Sequence, residues 1–575
     1  RGDWQNAPWI FSRTAGLSDV DRFRLFDSLR RSLVAPMIFA ALFLGLCLGA
    51  PGMSLAAWAA LLALACGLLI SLTDAIGDRR RRTRYHSSLL YGVGLALLRT
   101  FIRLWLLPYE AFVSLSAILT SLWRMLISGK KLLQWETAAQ SAGKKSSPLS
   151  CFASMWFSVA AGLALILISD GIFAKAAGLM WMLSPLCVYA LSLPARSVAR
   201  ISDKDKKYLL GLSREIWSYF KTFCTAEDNF LPPDNYQEQP PVGVAHRTSP
   251  TNIGLALCSA LCASDLGIDG GRGIELIVNM LGTLERMPKY GGHFYNWYDT
   301  RTLRPLSPKY VSAVDCGNLF ACLLAVKNGL CEHRFFDAAK RVEALMRPMD
   351  FSVFYDPVRR LMRIGIDAAS DLPSPGHYDL MASEARLTSY IAVAKGDVPK
   401  KHWESLSRAM QSYRGYTGMA SWTGTMFEYL MPELFLPLFE NSLLYETAKY
   451  CVFVQKHRRS PNGLWGISES AFFSLDPALN YRYKAHGCKH LALKCGQERE
   501  LVISPYSAFL ALGVEPTAAV RDLRLMQRRN LKGRFGFIEA LDFTPSRCRS
   551  ESGERVACYM AHHLGMSLIA AANLI

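Results

Sequence analysis

The chain has 575 residues, a formal net charge of +18 and 51% hydrophobic residues, which is too long for one ordinary domain and too unevenly composed for one class of fold. Much of the positive excess lies in Arg/Lys clusters beside apolar runs, not on a soluble face studded with aromatics, and this argues against a nucleic-acid partner. The 15 cysteines fall singly or at helical spacing, as Cys258 and Cys262 do, with no CxxC pair, so zinc has little support and a reducing compartment is expected for the soluble part.

Arg1-Gly2-Asp3-Trp4-Gln5 opens the sequence without a signal peptide and reads as the interior of a longer protein. Residues 33–50 and 54–73 are apolar and uncharged, each near the roughly 20 residues that cross a bilayer, and Pro51-Gly52-Met53 between them predicts a hairpin. A second hairpin is expected from 151–169 and 176–193 around Asp170-Gly171. Arg30 and Arg31 precede the first pair, and Arg79–Arg82 and Arg84 follow it. Lys130, Lys131, Lys144 and Lys145 precede the second pair, with Arg196, Arg200, Lys204, Lys206 and Lys207 beyond it. Basic residues stay on the cytoplasmic side, which puts both hairpin tips outside and the soluble part in the cytoplasm. Residues 99–127 mix Arg103, Pro108, Glu110 and Arg124 with Leu, Trp and Phe. The basic flanks favour an interfacial helix there; a further span would move the soluble part to the other side.

From Lys207 onward, apolar residues recur at helical spacing in blocks such as 252–266, 273–286, 315–328, 335–346, 378–395 and 517–528. Alternating patterns are few and short, at 293–297 and 351–354. The expected class is mainly α: transmembrane helical hairpins followed by a closed double ring of helices, an (α/α)6 toroid. The loops at one end of such a ring converge on a funnel.

Those loops are dense in groups that grip sugar hydroxyls and stack on pyranose rings. VGVAHRTSPTNIG supplies His246, Arg247 and Asn252; GGHFYNWYDT supplies His293, Tyr295, Trp297, Tyr298 and Asp299; SWTGTMFEYLMP and LWGISES supply Trp422 and Trp465. Buried core aromatics are the alternative for the Tyr and Trp residues. Glycosidic chemistry needs two carboxyl groups across an anomeric carbon. Glu384 in HYDLMASEAR and Glu469 in LWGISES are the favoured catalytic pair, with Tyr378 and Asp379 beside the first. Asp379 either caps the Glu384 helix or lines the site; Asp315 in VDCGNL is a helix cap or a hydroxyl acceptor. Glu428 pairs with a buried Arg or reaches the site, and Glu539 and Asp542 in GFIEALDFT either bridge elements or face substrate. His562-His563 point in different directions from one helix and lack an acid at metal-binding spacing, so substrate contact or core hydrogen bonding is expected and no metal or cofactor is.

The strings LPPDNYQEQPPVGVAHRTSPTNIG, GHFYNWYDTRTLRPLSPKYVSAVDCGNL, YDLMASEARLTSYIAVAKGDVP, SWTGTMFEYLMP, WGISES, SPYSAFLAL, FGFIEALDFTPSR and YMAHHLGMSL closely resemble the glucoamylase-like middle region of bacterial cyclic β-1,2-glucan synthases. The resemblance covers residues 205–575. Upstream, RGDWQ and LFDSLRRSLVAP look like the end of that family's membrane glucosyltransferase region, so residues 1–32 are expected to be its remnant and 33–204 a transmembrane and interfacial region. The resemblance implies an inner-membrane module that cleaves linear β-1,2-glucan and rejoins it as a ring, with Glu384 and Glu469 in the motifs of the catalytic pair. Its implied partners are the linear glucan, the lipid bilayer and the remainder of the synthase. Ring closure that keeps the β configuration would place the carboxyls about 5–5.5 Å apart. A hydrolase on the same scaffold and a non-catalytic glucan-binding module are the alternatives. YRYKAHGCKH and Leu564 depart from the family's pattern.

Overall fold

The computed structural model describes residues 2–12, 14, 16–48, 57–58, 60–66, 69, 86–132, 147–193, 201–548, 550 and 552–575. They fall into two compact units, Arg1–Ser197 and Val198–Ile575.

The first unit is helical. Asp19–Leu48 carries the described part of the first apolar run; the turn at 51–53 and most of 54–73 lie outside the described residues. The segment 99–127 falls within one helix, His86–Trp123, and its five-residue π-helical extension, so it is a single continuous element. Asp19–Cys47 and Ala96–Ser128 are long and apolar enough to cross a membrane. The runs expected at 151–169 and 176–193 are each broken. Pro148–Ser154 meets Trp156–Ile168 at 71°, and Ile172–Met182 meets Ser184–Ser192 at 41°. Pro185 accounts for the second bend, because it lacks the N–H that would continue the preceding helix; nothing in the structure explains the first. Two polar groups in these apolar surroundings bond backbone carbonyls of other helices: Trp181 Nε1 donates to Leu104 O and Ser169 Oγ to Leu46 O, both at 3.0 Å.

Among the described residues, twelve α-helices build the second unit: α1 Asp203–Phe223, α2 Pro250–Asp265, α3 Gly273–Arg286, α4 Ala313–Glu332, α5 Phe336–Met346, α6 Ala385–Lys395, α7 Lys401–Ser405, α8 Met426–Leu430, α9 Leu443–His457, α10 Pro505–Leu510, α11 Pro516–Arg528 and α12 Ala561–Leu574. Two kinds alternate. α1, α3, α5 and α11 are amphipathic, with one buried stripe and one charged face, whereas α2, α8, α10 and α12 are apolar on nearly every side and buried accordingly. The even-numbered helices pack on one another, α2 on α4, α4 on α6, α8 on α10, α10 on α12 and α12 on α2; each odd-numbered helix packs against an even-numbered neighbour.

Close approach of the inner helices depends on glycine. A Cβ on Gly254 would lie 3.0 Å from Cys322, one on Gly565 2.8 Å from Leu255 Cβ, and one on Gly317 1.9 Å from Thr388 Oγ1. These are the α2–α4, α12–α2 and α4–α6 contacts. Strands are confined to loops, in two- and three-stranded antiparallel sheets. The hairpin Ser470–Leu475/Tyr481–Lys484 is the one that matters most below, with Ala471 opposite Tyr483.

Gly317→Ala is expected to destabilise the second unit by about 1–3 kcal/mol through overpacking against Thr388. The check is a thermal melt of the 575-residue chain; a Gly317→Ala/Thr388→Ala double variant should recover part of the loss.

Candidate functional site

The first turns of the inner helices open on one cavity of about 380 Å³. Ser249, Thr251 and Asn252 come from the start of α2, Ser312, Asp315 and Asn318 from α4, Glu384 from the N-cap of α6, Phe427 from α8, and Met560 and His562 from the start of α12. Inner helices this apolar can bring polar groups to the center only through their ends. Their N-terminal N–H groups and dipoles favour negative charge there. A second cavity of about 350 Å³, lined by His377, Asp379, Ser383, Trp422 and Glu428 among others, shares Tyr378 and Glu384 with the first. The cleft therefore continues on both sides of the Glu384 carboxyl.

Glu384 and Glu469 both line the first cavity. Burial, reinforced by the charges of Glu428 and Glu469, raises the Glu384 carboxyl to about 8. Burial likewise raises Glu469 to about 7, although the Tyr483 hydroxyl donates to its Oε1 at 2.9 Å and opposes the shift. Both carboxyls are thus shifted toward keeping their protons near neutrality. Such a cleft offers a proton donor and a carboxylate together, as bond cleavage between sugars requires.

Local structure explains each position. Glu384 sits where the chain turns into α6, with Ser383 Oγ donating to its Oε2 at 3.3 Å and accepting from Ala385 N at 3.2 Å. Arg386, two residues on, turns into the core and pairs with Glu433 at 2.5 Å, so it does not neutralise Glu384. Glu469 follows the Trp465-Gly466 turn, where Gly466 has φ +118° and a Cβ would lie 2.4 Å from Ser507 Oγ. Gln455 clamps the strand by accepting from Ile467 N and donating to Ile467 O, both at 2.8 Å, and Tyr506 donates to Glu469 O at 3.0 Å.

Arg247, Asn252, Trp297, Asp315, Tyr378 and His562 join the pair around the first cavity, and Asp379 and Trp422 line the second. Asp234 orders one wall, accepting from Arg247 Nη2 at 3.0 Å and Asn252 Nδ2 at 3.2 Å, while the Arg247 guanidinium lies 5.1 Å from the Trp297 ring center. Asp315 accepts from Thr251 Oγ1 at 2.6 Å; Ser312, not Asp315, caps α4. Asp379 leaves the N-cap of α6 to Glu384.

Other expected contacts lie elsewhere. His293 is 1% exposed, packs on Phe351 and Phe354, and has Nε2 2.8 Å from Asp350 O. His246 is held by Asp228 at 2.8 Å, and Asp299 accepts from the backbone N–H groups of Arg301 and Thr302 in its own turn. Tyr295 packs on Tyr298, which is itself buried, and Trp465 belongs to the core. Glu428 touches the second cavity, but its carboxylate accepts from Ser421 Oγ, Thr423 N and Thr425 N, so it closes the α8 capping box with no Arg partner. Glu539 and His563 lie behind the wall, joined at 2.8 Å, and Asp542 pairs with Arg547 at 2.9 Å. Among the described residues no three His, Cys, Asp or Glu side chains converge to hold a metal ion.

The residues that motif reading missed are chiefly Asp234, Thr251, Asn296, Asn318 and Tyr483. Tyr483 was recoverable from register alone. With Ala471 opposite Tyr483, Glu469 and Tyr483 are diagonal neighbours on one face of the hairpin, within reach of an aromatic side chain.

The chain shares its fold with solved structures described as a glucoamylase and as endo-β-1,2-glucanases. Residues 376–575 match the family model described as "Putative glucoamylase". A Bacteroides caccae structure with the same description superposes with a TM-score of 0.53 at 16% identity, covering 64% of this chain and 93% of that one. The endo-β-1,2-glucanase of Chitinophaga pinensis gives 0.53 at 15% identity over 64% and 92%, and that of Talaromyces funiculosus 0.52 at 16% over 65% and 85%. In sequence, the whole chain is 32% identical to the cyclic β-(1,2)-glucan synthase of Rhizobium meliloti, spanning 25% of that protein's length. The likeness read from the motif strings is thereby borne out.

Burial makes the site pH-sensitive. A carboxyl raised from 4.5 to about 8 binds its proton more tightly in the folded chain, so its contribution to stability is present below pH 4.5 and is lost as pH rises to 8. Glu384→Gln removes that loss. The variant should melt a few degrees above wild type at pH 8 and level with it at pH 4.5, measured by thermal denaturation.

Proposed function

We propose that residues 205–575 cleave linear β-1,2-glucan and rejoin it as a ring by retaining transglycosylation, as the processing module of a cyclic β-1,2-glucan synthase. The observation that carries this reading is the placement of Glu384 and Glu469 on one cleft, each with a raised carboxyl, in a chain 32% identical to such a synthase. Closing a ring with the β configuration kept calls for double displacement. One carboxylate attacks the anomeric carbon, the other acid protonates the departing oxygen, and the same acid then deprotonates the chain's own non-reducing end as it attacks. The cleft on both sides of Glu384 gives room for sugar on each side of the broken bond, and Arg247, Asn252, Trp297, Asp315, Tyr378, Asp379, Trp422 and His562 are the contacts we assign to it. The alternating contacts of α1–α12 support a closed (α/α)6 ring as its scaffold.

Hydrolysis is the second reading. It is favoured by the fold shared with two endo-β-1,2-glucanases; there water replaces the incoming hydroxyl. The 575-residue chain in lipid nanodiscs, given linear β-1,2-glucan, should release products one water lighter than linear chains of equal length. Linear fragments would make it a hydrolase, and binding without conversion a guide module. Glu384→Gln and Glu469→Gln should each lower the rate at least about a hundredfold. With an activated aryl glycoside, azide should rescue one of them as a glycosyl azide of inverted anomeric configuration, which names the nucleophile.

We place the chain in the bacterial inner membrane with the second unit in the cytoplasm. Arg30, Arg31, Lys130, Lys131, Lys204, Lys206 and Lys207 beside the apolar helices support this orientation. Alkaline phosphatase fused after Ile575 should stay inactive in cells; an active fusion would reverse the orientation.

A further inference from the structure

We propose that Glu539, His563 and Tyr483 form a proton relay, buried at Glu539 and His563 and open to the cleft at Tyr483, to the carboxyl of Glu469; the inference rests on Glu469 being one of the two reacting acids. The four groups make an unbroken chain. Glu539 Oε1 and Oε2 lie 2.8 and 3.0 Å from His563 Nδ1, His563 Nε2 lies 3.3 Å from the Tyr483 hydroxyl, and that hydroxyl lies 2.9 Å from Glu469 Oε1. The Tyr506 ring stacks on His563 with ring centers 3.7 Å apart and planes 7° from parallel, fixing the imidazole while Tyr506 also holds the Glu469 backbone. The Tyr483 end reaches the cleft and the Glu539 end is 4% exposed.

Two proton arrangements satisfy every link. In the first, the Glu539 carboxyl donates to Nδ1, Nε2–H donates to the Tyr483 oxygen, and Tyr483 donates to an ionised Glu469. In the second, Nδ1–H donates to a Glu539 carboxylate, Tyr483 donates to Nε2, and a protonated Glu469 donates to Tyr483. Moving from first to second breaks one O–H bond at Glu539, one N–H at Nε2 and one O–H at Tyr483. It forms one N–H at Nδ1 and one O–H each at Tyr483 and Glu469. One proton passes from Glu539 to Glu469 and imidazole stays neutral throughout. Burial suits the end groups to this exchange, raising Glu539 to about 8 and pushing His563 far below its ordinary range.

Other charged or titratable groups face the relay. Asp234 and His562 act on Glu539, Glu428 and Asp315 act on Glu469, and the His562 Nε2 lies 3.3 Å from the Tyr483 hydroxyl as a competing partner. Burial, reinforced by Glu539 and Asp234, raises the Cys558 thiol and keeps it neutral. None of these links both carboxyls, so the relay is the one hydrogen-bonded route between Glu539 and Glu469 among the described residues. Its use is to let Glu469 gain or lose a proton without admitting water to a cleft where water would divert transfer to hydrolysis.

The test is infrared titration of the 575-residue chain from about pH 5 to 10, following the protonated-carboxyl band assigned to Glu539 by its loss in Glu539→Gln. Glu469→Gln should displace the Glu539 midpoint by about one pH unit or more, and adding Tyr483→Phe should reduce that displacement to less than about half, the through-space remainder. A displacement that is the same with and without Tyr483→Phe overturns the relay. In turnover of linear β-1,2-glucan, Tyr483→Phe and Glu539→Gln should each lower kcat about tenfold with KM unchanged; kcat unchanged in both overturns it as well. A wild-type chain inert toward that glucan would sink the functional reading, and the infrared result would still decide the relay.

Discussion

Crowding of acids in and behind one cleft is the constraint around which the second unit is built. Glu384, Glu469, Asp315 and Glu539 are all raised by burial, and several like charges in low dielectric cannot all ionise together. Charge partners would relieve the cost but destroy the proton donor. The structure keeps Arg386 on Glu433 and, in the cleft wall, Arg247 on Asp234, so neither is paired with Glu384 or Glu469. What reaches the acids instead is weaker and directional: helix N-termini and the hydroxyls of Ser383, Thr251 and Tyr483.

That arrangement explains why the inner helices are so apolar. A helix surrounded by other helices has no wet face, so polar side chains are confined to its first turn, where they meet the cleft. α2 illustrates the division. Ser249, Thr251 and Asn252 work at its start, and nearly everything from Ile253 to Ala263 is buried. Gly254, Gly317 and Gly565 then set how closely the helices, and hence the acids at their ends, approach one another.

Much of this was legible in the sequence, and the failures share a cause. Helical periodicity located α2–α6 and α11, and the loop strings held both glutamates that the cleft brings together. Reading loops by composition went astray where a polar residue serves its own turn. Asp299 organises a local turn and Glu428, at the edge of the second cavity, caps α8, while His293 is tied to the distant Asp350 carbonyl in the core. Such local bonds have the same residue types as a sugar site, so composition does not separate them. Tyr483 was overlooked for the opposite reason: its string departed from the family's pattern, although hairpin register brings it to Glu469. In the first unit, hydropathy found the apolar runs but not the bends that divide two of them.

One helix carries a consequence for how the chain is made. α4, Ala313–Glu332, is long and apolar enough to cross a bilayer, though shorter and less apolar than the two candidate helices of the first unit, yet most of it is enclosed by protein. As the chain is synthesised, α4 emerges after the earlier apolar helices and before α6 and α12 exist to shelter it. Its fate is a race between capture by lipid and docking on α2, the even-numbered helix it packs against that is already synthesised. Asp315, Lys327 and Glu332 along the same helix bias that race toward the aqueous outcome. The acid that faces the cleft thus doubles as a topological safeguard during biogenesis.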